Sequence, residues 1–230
     1  MLFAYIWPHG HLLLASPVSA LLCLAQLVQT KAFWMAVATS TVQIFGGFFL
    51  ACLLATLCAA LAARFRLIRE LLAPPVATVK AIPVVSFIIL ALVWLDASQL
   101  PLFISALMVF PPVYLNVLAG IGAADEKLLE MAQVFRVPFW RQVRGIYLPA
   151  VLPYFRSASS LSLGLCWKSG VAAEVIGLPD GTIGEKLYNA KVYYETPELF
   201  AWTGMIVLVS LVVERLFLKL VDVLTERMKC

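Results

Sequence analysis

An all-α integral membrane fold is what this sequence predicts, and three observations predict it. Of the 230 residues, 63% are hydrophobic and 13% charged, against about 45–50% apolar and about 25% charged in soluble domains. Five apolar runs reach the ~20 residues that a helix needs to cross a bilayer. They are continuous runs, not the ~10-residue alternating segments of a transmembrane barrel.

The predicted spans are 34–61, 76–95, 101–121, 153–176 and 199–221. No polar block or low-complexity linker separates them, so 34–221 reads as one transmembrane domain. Residues 1–33 form an outer, interfacial segment and 222–230 a tail. The opening MLFAYIWPHG is too short to span, and it lacks the basic start and cleavage site of a signal peptide. The following ASPVSALLCLAQLVQT reads as a short helix in the interface. In the first span, Ala51, Ala55, Ala59 and Ala63 make a small-residue stripe suited to close helix packing.

Thirteen of the seventeen Lys and Arg fall on one side, in one set of loops or in the span ends beside them, among them Arg64, Arg66, Arg69, Arg136, Arg141 and Arg144. The positive-inside rule places that set in the cytoplasm, with the N-terminus outside and the C-terminus inside. The net charge of +4 is thus a topology signal and does not point to nucleic acid. The five cysteines form no CxxC pair and read as packing residues.

The cytoplasmic segment 122–152 joins the third and fourth spans. Asp125 is suited to cap a helix with Glu126 in its first turn, running to about Phe135. Pro138 disfavours helix at Val137 and opens a second short helix. Leu128, Leu129, Met131, Ala132, Val134 and Phe135 are too many to bury under one short helix. Two readings fit: the surplus meets a cytoplasmic partner, or the helix lies in the lipid interface with its arginines on phosphates.

Polar residues inside spans cost at least ~3 kcal/mol when charged. Lys168 sits mid-span and Glu174 near the outer end; six residues apart, they are turned about 240° around the helix, about 120° by the shorter way. Each needs its own partner or water. Lys168, beside Trp167, either faces a solute pathway or meets a neighbouring helix or subunit. Pro83 and Pro111–Pro112 interrupt spans and either line a cavity or kink a packed helix. Asn116 and Tyr114 read first as interhelical hydrogen-bonding residues and second as pathway residues. In the outer loop, Thr182 with Glu185 makes a capping box. Ile183, Leu187, Ala190 and Tyr194 then share a face, so a short amphipathic helix is expected to cap the outer mouth or to rest on the membrane as a connector.

Catalytic signatures are missing. There is no GxxxxGK[ST], HExxH or GxSxG, and His9 and His11 lie outside the spans. No cofactor is expected on this chain. A stand-alone secondary transporter or channel is the alternative; it calls for intramembrane acids in paired repeats, and five spans do not halve.

The cytoplasmic segment resembles the signature of bacterial ABC importer permeases. That pattern is Glu-Ala-Ala, a Gly four residues later, and Ile-x-Leu-Pro ten residues beyond. Here stand Glu130, Met131, Ala132, then Ile146, Leu148 and Pro149, with Arg136 at the Gly position and Met131 replacing the middle Ala. VKAIPVVSFIILALVWL, FPPVYLNVLAGI and LPAVLPYFRSASSLSLGLCWKSGVAAEVIG resemble the nitrate/taurine/aliphatic-sulfonate branch. The resemblance implies a type I ABC importer transmembrane domain with five complete spans, or six if the true start lies upstream. It implies a cytoplasmic coupling helix formed by Glu130, Met131, Ala132, Phe135, Arg136 and Pro138 and held by Ile146, Leu148 and Pro149. It implies a second copy of the chain, a separate ATPase subunit carrying ATP and magnesium, and an extracytoplasmic binding protein facing Thr182, Glu185, Leu187 and Tyr194. It also implies a bacterial cytoplasmic membrane, with lipid around the spans and a small organic anion such as a sulfonate, or a similar small nutrient, as cargo. Glu174 resembles a recurrent glutamate near the family's outer gate, and a structural hydrogen bond is the equal alternative for it. Without glycine at Arg136, ordinary helical geometry and a slightly longer first helix are expected there.

Overall fold

The computed structural model describes residues 16–229, with side chains through 223. Residues 1–10, expected not to span, lie outside the described part. Everything described is helix and connector, with no strand among the described residues.

Local signals set the first two helices. Ser16 caps α1 (Pro17–Leu27), with Pro17 in its first turn. Thr30 accepts the Phe33 N–H at 3.3 Å and starts α2 (Lys31–Arg64). At 34 residues, α2 is ~51 Å long, well beyond the ~30 Å hydrocarbon core.

The second predicted span is corrected. Its residues divide between α3 (Arg66–Ala81) and α4 (Val84–Ala91), which meet at a bend of 105°. Ile82 is extended, the conformation favoured before proline, and Pro83 sits at the N-cap of α4. Residues 92–95 form turns, not helix. By contrast α5 (Leu100–Gly122) runs unbroken through Pro111 and Pro112, so that proline pair does not interrupt its span.

After α5 come α6 (Glu126–Val134), α7 (Phe139–Gln142), a π-helical turn (Val143–Tyr147), α8 (Leu148–Gly177), α9 (Ile183–Val192) and α10 (Thr196–Lys229). Among the described residues, α2 and α5 are long and apolar enough to cross a membrane, and the bent α3–α4 pair makes a third if it counts as one span. The predicted ranges 153–176 and 199–221 lie within α8 and α10, of 30 and 34 residues.

The core lies where α5 packs between α2 and α8. Ile44, Phe48, Val109, Val113, Leu163 and Trp167 fill it. Small residues permit the approach: a Cβ on Gly47 would come 2.4 Å from the Leu102 carbonyl oxygen, and one on Gly170 would come 2.6 Å from Ile44 Cγ1. Ser105 Oγ donates to the Cys166 carbonyl across the α5–α8 seam at 3.3 Å. The expected alanine stripe is buried at Ala51, Ala55 and Ala59, then shifts to Ala62; Ala63 is exposed. A second cluster packs the Phe33 and Trp202 rings 4.8 Å apart, with Ile183 beside them.

Toward the start of α8, α10 is tied to it. Arg156 donates to both Asp222 oxygens, the Nη2 bond at 3.0 Å. Ser160 Oγ donates to Glu214 Oε1 at 3.1 Å.

Candidate functional site

Between α5 and α8 the chain makes a two-helix elbow. The Asp125 carboxylate accepts the Lys127 N–H at 2.9 Å and starts α6. The helix ends at Val134, close to the expected Phe135, in a Schellman turn. The Val137 N–H reaches back to the Ala132 carbonyl at 2.8 Å and the Arg136 N–H to Gln133 at 3.1 Å. This geometry puts Arg136 at φ 51°, in the left-handed region. The expected helical geometry at Arg136 is therefore corrected: satisfying the last carbonyls, with Pro138 two residues on, outweighs the ~1–2 kcal/mol that a left-handed L-residue costs.

Pro138 caps α7, as its fixed φ favours. The Gln142 side chain donates to the Val137 carbonyl at 2.8 Å and braces the bend. The π turn follows, and the Leu148 N–H bonds the Val143 carbonyl five residues back. The elbow thus enters α8 through a wide turn, a feature concentrated at functional places.

The elbow leaves large apolar side chains bare. Val134, Phe135 and Trp140 are 79%, 74% and 79% exposed. Glu130, Met131, Arg136, Pro138 and Pro149 are exposed as well, and Ile146 is half-buried. Ala132 is buried and supports the elbow from within. Behind the elbow, Phe139, Tyr147 and Leu148 border a cavity of about 430 Å³ against α2 and α5.

The polar residues of the spans do not gather into one cluster. Lys168 is exposed about two-thirds of the way along α8, in a row with Tyr154, Leu161, Leu165 and Ile176. Trp167 is buried in the core, and its indole N–H has no partner among the described residues. The Asn116 amide donates to the Pro112 carbonyl of its own helix at 2.8 Å, which corrects the interhelical bond expected of it. Tyr114 is buried and stacked on Phe110 at 5.9 Å. Pro83 lies on the exposed α3–α4 break.

Glu174 is buried on α8 where Lys168 is exposed, on a different face, as their spacing predicts. It accepts the Gly184 N–H at 2.9 Å, and its Oε1 has no hydrogen-bond partner among the described residues. The neighbouring Ile183 N–H goes to Ser40 Oγ of α2 at 2.9 Å, and the Glu185 N–H goes to Thr182 Oγ1 at 3.3 Å. Three orphan donors at the start of α9 are thereby satisfied, with the carboxylate at the positive end of the dipole. The capping box is present in altered form: the Glu185 carboxylate takes the Gly181 N–H at 2.7 Å rather than that of Thr182. Leu187 packs with the Phe33–Trp202 cluster. Tyr194 does not share the helical face expected of it. α9 stops at Val192, and a second Schellman turn, with the Glu195 N–H on the Ala190 carbonyl at 2.9 Å, places Tyr194 at φ 58°, 73% exposed.

Ser40 and Gly184 carry no local signal of these roles in the sequence. Ser40 is 143 residues from its partner. Gly184 is needed because a Cβ there would come 2.2 Å from Glu174 Cβ.

Comparison with known proteins agrees with this architecture. Residues 47–229 match the family described as binding-protein-dependent transport system inner membrane component. The chain is 28% identical over 189 residues to the SsuC permease of Bacillus subtilis, provisionally assigned to aliphatic sulfonates transport, covering 82% of this chain and 68% of that one. It is 27% identical to the riboflavin transport system permease RibX of Chloroflexus aurantiacus, over 65% of this chain and 56% of that one. It is 23% identical to the taurine transport system permease TauC of Escherichia coli, over 64% and 54%.

Proposed function

Because the chain belongs to the family of binding-protein-dependent transport system inner membrane components, the multi-pass permease subunits of ABC importers, we propose that its elbow is the handle gripped by the ATPase subunit. The family is a membrane transport component and not an enzyme, and such an importer has ATPase and substrate-binding partners. The observation that carries the reading is the set of bare apolar side chains Val134, Phe135 and Trp140 on a hydrogen-bonded bend. A helix pair that transmits force has to hold its shape. The Schellman turn, the Gln142 brace and the Pro138 start each restrict it.

In this reading two copies of the chain pair about a two-fold axis, because two ATPase subunits each need an elbow. ATP with magnesium binds the partner and closes the ATPase dimer. Closure draws the two elbows together and opens the spans outward, and a binding protein delivers solute at α9. α8 and α10 complete five spans with α2, the α3–α4 pair and α5, the N-terminus outside and the C-terminus cytoplasmic. Lys168, on the face of α8 that its own chain leaves uncovered, faces the shared pathway and favours an anionic solute such as a sulfonate. The kinship with sulfonate and taurine permeases supports that cargo class.

The test is co-purification followed by ATP hydrolysis in liposomes. Phe135→Glu with Trp140→Glu removes the apolar grip while leaving buried Ala132 untouched. Anchors of this kind each cost about 2 kcal/mol or more when lost, so ATPase capture should fall at least thirtyfold per residue. Undiminished capture by a folded double variant refutes the reading.

A further inference from the structure

The cavity behind the elbow has a composition that the handle role does not use. Its walls are Thr56 and Ala60 of α2, Val117 of α5 and Val151 of α8, with Phe139 of α7 as a roof and Arg64 at its mouth. From Thr56 to Arg64 it follows two turns of α2, ~12 Å along the axis. Ala60, Ala63 and Leu148 in its lining are exposed, so it opens sideways to the surroundings.

Two properties limit what can fill it. The walls are mostly carbon, with the Thr56 and Tyr147 hydroxyls as the polar exceptions, so a cavity of about 430 Å³ offers ordered water few partners. The mouth carries a guanidinium: Arg64 is exposed and is the last residue of α2. Among the described residues the ion pairs are Arg66–Glu70, Arg156–Asp222 and Lys186–Glu185, and none uses Arg64. An apolar slot running along a span, with a free cation where the span leaves the hydrocarbon, has the complementarity of one molecule class: an acyl chain carrying an anionic head.

We propose that this cavity is a binding site for an anionic phospholipid, its acyl chain between Ala60, Val117 and Val151 and its phosphate on Arg64. The inference rests on the permease reading for its membrane setting. The occupant touches Phe139 of the elbow and Val151 of the bundle together, so it props one against the other. Lipid composition would then tune how elbow motion reaches the spans.

Native mass spectrometry of the permease–ATPase complex, with dioleoylphosphatidylglycerol or dioleoylphosphatidylcholine added in mild detergent, decides it. The wild type should retain phosphatidylglycerol in preference to phosphatidylcholine. Ala60→Trp, which fills an exposed position, should abolish retention. Arg64→Gln should lower the preference about fivefold, the effect of one basic residue at an anionic surface. If Ala60→Trp fails to fold, Ala60→Leu and Arg64→Gln give the same decision. Equal retention of both lipids by the wild type overturns the site, as does unchanged phosphatidylglycerol on the folded tryptophan variant. Dissociation of paired permeases by Ala60→Trp with lipid unchanged also overturns it, and would make a second copy the occupant. Because ATPase capture is read in the same spectra, failure of the handle and failure of the lipid site are separable.

Discussion

The Glu174 carboxylate of α8 holds the Gly184 N–H of α9 at 2.9 Å, and Gly184 in turn has no room for a Cβ because Glu174 Cβ would lie 2.2 Å from it. The helix α9 is pinned by its first turn to α8 and, through Ser40 and Ile183, to α2. Any displacement of α8 therefore carries α9 with it.

Breaking that pin should loosen α9 alone. Glu174→Ala leaves a buried N–H unpaired, a loss of about 1–3 kcal/mol, and Gly184→Ala forces the helices apart at a comparable cost. Amide hydrogen exchange across 183–192 should accelerate in both variants, while α2 and α5 stay protected. Unchanged protection of 183–192 would contradict the pin.

Arg136 holds a left-handed conformation that glycine adopts without strain. Arg136→Gly should stabilise the elbow by about 1 kcal/mol, and Arg136→Val, β-branched, should destabilise it by at least as much. Thermal unfolding of the detergent-solubilised chain, with exchange read over 126–142, gives the ranking Gly above Arg above Val.

The Arg156–Asp222 pair joins α8 to α10, and hydrogen bonding to Arg156 holds the Asp222 carboxyl below the usual carboxylate range. A depressed folded pKa gives stability that is present above the unfolded value, about 4, and is lost as pH falls through the folded one. Asp222→Asn should therefore lower the melting temperature at pH 7. Wild type and variant should converge on acidification below pH ~4. Both groups are about half exposed, 49% and 43%, so the effect is modest and shrinks in high salt.

Gly47 fixes the α2–α5 approach at the Leu102 carbonyl. Gly47→Ala should cost about 1–3 kcal/mol through overpacking. Gly46→Ala, whose Cβ would meet Leu102 Cδ1 at an ordinary 3.5 Å, should be nearly silent. Similar melting temperatures for the two variants would show that the seam yields.

Short-range physics made much of this protein readable from its residues. The caps at Asp125 and Thr182, the second helix opened by Pro138 and the different faces of Lys168 and Glu174 follow from hydrogen bonding and rotation within a few residues. The elbow's surplus of apolar side chains was equally plain, since six of them cannot fit beneath nine residues of helix. Tertiary structure decided the rest. It turned one expected span into two helices at 105°, because proline fixes where a helix stops but not where the next one points. It placed Arg136 in a glycine conformation, because closing the Ala132 carbonyl outweighs the local preference. It also chose Ser40 and Glu174 to receive the first N–H groups of α9, since donors exposed at a helix start take whichever acceptors packing brings near, and no local spacing specifies those partners.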